Sequence, residues 1–85
     1  MIDFLEVIER LKSILAQQLQ KTKIYDRDVA VALQLDPQYF AVIKRRNKIP
    51  YEAIANYCQK NHISMNWILF QQKPKQLIQT MYDRS

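Results

Sequence analysis

Not one of the 85 residues is glycine, where average usage would place roughly six. That absence excludes the P-loop, the G-x-G-x-x-G dinucleotide turn, the G-x-S-x-G nucleophile elbow and the EF-hand loop. Each of these needs glycine for a positive φ or a close backbone approach. Two-residue hairpins lose their turns as well, since those call for Asn-Gly, Asp-Gly or Gly-X, so the chain reads as all-α. Cysteine and histidine occur once each, as Cys58 and His62, which rules out an internal disulfide and leaves too few ligands for a zinc site. No apolar run approaches the roughly 18 residues of a spanning helix. The first nine residues hold Asp3, Glu6 and Glu9 and no Lys or Arg, whereas a signal peptide would begin basic. The expectation is a cytoplasmic protein without a membrane partner, of one domain too small to enclose a deep active site. The acidic residues are scattered, and no close pair suggests glycosidase or metal chemistry. No enzyme, no metal and no cofactor is therefore expected.

What the chain does have is cationic charge with a place. Thirteen Lys and Arg oppose eight Asp and Glu, a net +5, and Lys44, Arg45, Arg46 and Lys48 supply four cations within five residues. Such a balance suggests an acidic partner, nucleic acid first. The hydrophobic share of 48% is that of a folded domain.

Apolar spacing divides the chain into helices. Phe4, Ile8, Leu11 and Leu15 form one face of a helix from Asp3 to about Leu19, widened by Leu5, Ile14 and Leu19, with Asp3 and Glu6 as a capping box. Asp26 is the expected cap of a second helix to about Leu33. After the connection Gln34-Leu35-Asp36, the cap and proline Asp36-Pro37 start a third helix to about Arg46. Ile49-Pro50 opens a fourth to about Lys60, with Ile54, Tyr57 and Cys58 as its apolar stripe. Ser64 caps a short fifth holding Met65, Trp67, Ile68, Leu69 and Phe70. Residues 1–72 form this domain, and 73–85 a tail in which Leu77, Ile78, Met81 and Tyr82 share one side. Two turns of helix do not hold themselves in water. The tail's apolar side needs either its own domain or a second chain, and dimerisation through these four residues is the favoured reading.

Two short helices joined by about three residues make a helix-turn-helix arrangement. Counting from Asp26, the small residue where the helices cross is Ala30, and Val29, Leu33, Leu35, Phe40 and Ile43 point inward. Pro37, Gln38, Ala41, Val42 and Arg45 are left on the outer side of the second helix, the face that enters a major groove. Gln38 has the donor and acceptor for adenine N6 and N7, Ala41 and Val42 offer methyl groups to thymine, and Arg45 reaches guanine or phosphate. Lys21, Lys23, Arg27, Tyr39, Lys44, Arg46 and Lys48 are the candidate phosphate ligands.

The stretch Asp26 to Arg46, with Lys48-Ile49-Pro50-Tyr51-Glu52, Tyr57-Cys58 and Ser64-Met65-Asn66-Trp67 after it, resembles the N-terminal DNA-binding domain of phage CI-type repressors. These belong to the lambda-repressor-like helix-turn-helix class. The likeness runs from about Phe4 to Leu69. It implies a compact five-helix fold, binding of a double-stranded operator as a homodimer, and transcriptional control, with the second helix steadying the backbone while the third reads bases. Three departures stand out. Gln34 occupies the turn position where relatives usually have glycine and must take a left-handed conformation there. Ile43 replaces a frequent tryptophan. Only Lys73 to Ser85 follows where such repressors continue into a larger domain, so self-cleaving or cooperative control is not implied.

Other readings stay open beside this one. The cationic run also suits a solvated helix end, and the fold alone does not fix function. A protein-binding module, an antitoxin or anti-regulator, would use the tail or the Trp67 cluster to capture a protein partner. A charge-driven nucleic-acid binder would show no sequence preference. Cys58 and His62, four apart, are a nucleophilic or ligand pair only with further groups that one chain does not supply; a buried thiol and a helix-end imidazole is the plainer account.

Overall fold

The computed structural model describes residues 2–72 and places five helices in them: α1 Phe4–Leu19, α2 Asp26–Ala32, α3 Pro37–Arg45, α4 Tyr51–Asn61 and α5 Met65–Phe70. No strand occurs among the described residues. Leu77, Ile78, Met81 and Tyr82, the expected dimerisation residues, lie outside the described residues.

Helix α1 is the spine, packed against α2 on one side and α5 on the other, while α3 joins through α2 and α4 through α5. Its inward residues are Phe4, Val7, Ile8, Leu11, Ile14 and Leu15, a continuous stripe at three- and four-residue steps. Leu5 and Leu19, expected to widen that stripe, instead point outward at 53% and 48% exposure. Val7 completes it in their place, because a residue three after Phe4 lies on the same face whereas its immediate neighbour does not. The stripe meets Val29, Ala30 and Leu33 of the α2 region and Phe40 and Ile43 of α3 in one core. There Phe4 and Phe40 meet edge to face with centroids 5.7 Å apart.

The helix starts follow the cap residues with two corrections. Asp3 accepts from the Leu5 amide at 3.0 Å, but Glu6 does not return the bond; its carboxylate lies 4.0 Å from Arg10 instead. At α2 the cap is Tyr25 rather than Asp26. Asp28 accepts from the Tyr25 amide at 2.9 Å, which frees the Asp26 carboxylate for tertiary contacts. Asp36 caps α3 through the Gln38 and Tyr39 amides at 3.0 and 3.1 Å, with Pro37 at the first helical position. Ser64 accepts from the Trp67 amide at 3.2 Å.

The helix stops are the unusual part of the backbone. Gln20, Gln34, Asn47, His62 and Gln71 all have positive φ, between 53° and 62°, and each lies just beyond a helix. Four of the stops share one hydrogen-bond pattern: Lys21 to Ala16, Leu35 to Ala30, Lys48 to Ile43 and Ile63 to Cys58, amide to carbonyl at 2.8–3.1 Å. That five-residue closure is the Schellman arrangement, usually built on glycine. Gln34 does adopt the left-handed turn, at φ 60°.

Candidate nucleic-acid interface

Helix α3 projects from the domain with Phe40 and Ile43 buried. At about 100° per residue, the direction opposite those two is held by Gln38 and Arg45, with Ala41 and Val42 flanking them. Gln38, Ala41 and Arg45 are exposed, and Val42 is half-buried. The four expected base readers therefore share one outer face.

The cations divide into groups. Arg27, Lys44 and Arg45 line a groove of 630 Å³ together with Leu5, Asp26, Pro37, Phe40 and Ala41, so the α2 start and the α3 face form one continuous surface. Arg46 and Lys48 are exposed just past α3, and Asn47 fixes the backbone between them. Its side-chain oxygen accepts from the Phe4 amide at 2.7 Å, joining the α3 stop to the α1 start and satisfying one of the amides a helix leaves unpaired. Lys23 faces a different way, lining a groove with Glu9, Lys12 and Thr22, its ammonium 5.5 Å from the Tyr25 ring centroid. Lys21 is exposed at the end of α1. Tyr39 lies on the opposite flank of α3 from the groove, beside Gln34, Leu35, Pro50 and Tyr51, about half exposed.

Lys44 has a partner that the sequence did not disclose. Its ammonium pairs with Asp26 Oδ2, and Lys12 from α1 lies 2.9 Å from Asp26 Oδ1. One carboxylate thus joins three helices. Partial burial pushes the Asp26 carboxyl up, but the hydrogen bonds and charges of Lys44 and Lys12 outweigh that and hold it below its ordinary 3.8. Asp26 and Lys44 are eighteen residues apart, and the signal that could have found them is the second acid, Asp28, which already serves the cap.

The other end of the domain is structural. Arg10 donates from Nε to the Ile68 carbonyl at 2.7 Å and from a terminal nitrogen to the Leu69 carbonyl at 3.1 Å, closing α5 onto α1. Tyr57 donates to Gln18 at 3.1 Å. Cys58 is buried, and burial pushes its thiol up to about 11. His62 is exposed in the left-handed position after α4. The two therefore do not form a working pair, because the helix that would have aligned them ends at Asn61. Of the Trp67 cluster, Ile68 and Leu69 are buried whereas Phe70 is 53% exposed.

Among the described residues no group of three His, Cys, Asp or Glu is placed to hold a metal ion. None of the described helices is long and apolar enough to cross a membrane. Comparison with protein-family models, curated proteins and solved structures gives no match for this chain.

Proposed function

We propose that the chain is a sequence-specific double-stranded DNA-binding regulator with a lambda-repressor-like helix-turn-helix, acting as a phage-type repressor by occupying its operator. The observation that carries this reading is the outer face of α3. Gln38 and Arg45 stand outermost between Ala41 and Val42, Arg27 borders that face across the groove, and Arg46 and Lys48 follow it, exposed, just past the helix. Amide, methyl and guanidinium groups at this spacing match the donors, acceptors and methyls of a major-groove edge. The bordering cations, whose contribution is sequence-independent, match the phosphates on either side. Asp36 and Pro37 fix where the helix begins, and the left-handed Gln34 turn sets how it leaves α2.

A twofold operator calls for two reading helices about 34 Å apart, hence a homodimer, for which Leu77, Ile78, Met81 and Tyr82 are the proposed contacts. Selection of bound fragments from a random duplex pool by the purified chain at near-physiological salt tests the proposal. An enriched palindrome supports both specific readout and the dimer, and a pool without enrichment rejects them.

A second reading, a protein-binding module of antitoxin or anti-regulator type, draws on the 440 Å³ groove between α1 and α5, lined by Leu5, Glu6, Glu9, Arg10, Ser13, Trp67 and Gln71. Specific DNA binding by the chain alone would remove its need.

A further inference from the structure

Asp26 is the one acidic side chain among the described residues that faces two ammonium groups, Lys12 and Lys44. It also lines the same groove as Arg27, Ala41 and Arg45, so a negative charge stands at the edge of the face proposed to meet DNA. Two consequences follow from its position. The first cation of the Lys44 to Lys48 run is engaged within the protein, and Lys12, on α1, takes the other oxygen of the same carboxylate. A phosphate approaching this groove meets a carboxylate where the sequence would suggest an unopposed lysine. Ionisation of that carboxylate is secured by its two partners, which keep it below 3.8.

We propose that Asp26 sets the strength and the salt dependence of DNA binding by withholding Lys44 from phosphate. Affinity for any duplex is lowered, while Gln38, Ala41, Val42 and Arg45 keep their contacts to the bases. Phosphate contacts carry no sequence information, so the selected site and random duplex are weakened alike, and the preference between them stays with the base-reading face. The inference rests on the DNA-binding reading above.

Each phosphate neutralised contributes about 0.9 to the fall of log K with log salt. In the Asp26→Asn variant, release of Lys44 steepens that slope on a random-sequence duplex by about 1 and tightens random-duplex binding about threefold or more at low salt. Affinity for the selected site rises by a similar factor, because the released cation meets phosphate in either duplex. Lys44→Gln in the otherwise native chain leaves the slope unchanged, because Lys44 is already occupied, and Asp26→Asn with Lys44→Gln loses about one unit of the gain. Fluorescence anisotropy with labelled duplexes across a salt series reads all four proteins. Asp26→Asn with the native slope overturns the proposal, even if its melting temperature drops, since a purely structural clasp would change only the latter. If Asp26→Asn does not fold, Lys44→Gln decides: an unchanged slope supports the proposal and a slope flatter by about 1 overturns it. A native chain with no salt-dependent affinity for any duplex removes the DNA-binding reading itself, and the proposal with it.

Discussion

Replacing Gln34 by glycine should make the protein more stable, against the usual direction of a substitution. The residue sits at φ 60°, where a side chain costs about 1–2 kcal/mol through the clash of Cβ with the carbonyl. Its backbone bonds, from its own amide to Val31 at 3.0 Å and from the Leu35 amide to Ala30 at 2.8 Å, do not depend on the side chain, which is exposed and makes no hydrogen bond among the described residues. Glycine removes the clash but gains freedom in the unfolded chain, worth about 0.5–1 kcal/mol in the opposite sense. The net is a stabilisation of about 0.5–1 kcal/mol, or roughly 2–8 °C in melting temperature for a domain of this size. Asn47→Gly supplies the contrast. It relieves the same strain at φ 53° but deletes the 2.7 Å bond to the Phe4 amide, about 1 kcal/mol of net interaction, so it gains nothing or loses. Urea unfolding followed by far-ultraviolet circular dichroism separates the two variants. A Gln34→Gly midpoint at or below the native one would show that the turn is not strained.

Gln38→Ala should weaken binding to the selected site by about 1–3 kcal/mol and leave random-duplex affinity nearly unchanged; equal loss on both would strip Gln38 of its base-reading role. Phe40→Ala, which empties the centre of the core and the edge-to-face contact with Phe4, should cost about 3–5 kcal/mol, and a loss under about 1 kcal/mol in the same urea assay would contradict its burial. Cys58 should react with a thiol reagent only on unfolding, and rapid reaction of the native protein would place the thiol at the surface. Its folded value of about 11 lies above the ordinary 9.0, so its contribution to stability is complete below pH 9 and is lost as pH rises toward 11. Cys58→Ala should show a shallower alkaline loss than the native chain, and identical alkaline profiles would refute this.

The helices and most of their caps were legible because their signals are local: Asp36 before Pro37, Ser64 before an apolar run, and the three- and four-residue steps of α1. Legibility failed where geometry beyond one helix decides. Asp26 and Asp28 both suit a helix start, and only the nearness of Lys12 and Lys44 in space explains why Asp28 serves the backbone and Asp26 the tertiary contact. Leu5 and Val7 are both apolar, and their opposite exposures were local after all: Val7, three after Phe4, shares its face, and Leu5, its neighbour, does not. The outer face of α3 was readable in advance since the two buried residues, Phe40 and Ile43, determine everything opposite them. The state of Lys44 was not, for its partner comes from another helix. Arg10 likewise gave no local hint that it would close the last carbonyls of α5.

The five left-handed helix stops bear on how the domain comes apart. A glycine stop is comfortable in isolation, so a helix ending on one can fray or re-form by itself. Here the four stops that lie between helices, Gln20, Gln34, Asn47 and His62, are locally unfavourable and persist because the helices on either side are held in one core. The amides of Leu35, Lys48 and Ile63, which close three of these stops, then exchange with solvent in step with the interior of α1, and the turns form part of the cooperative unit instead of its loose edges.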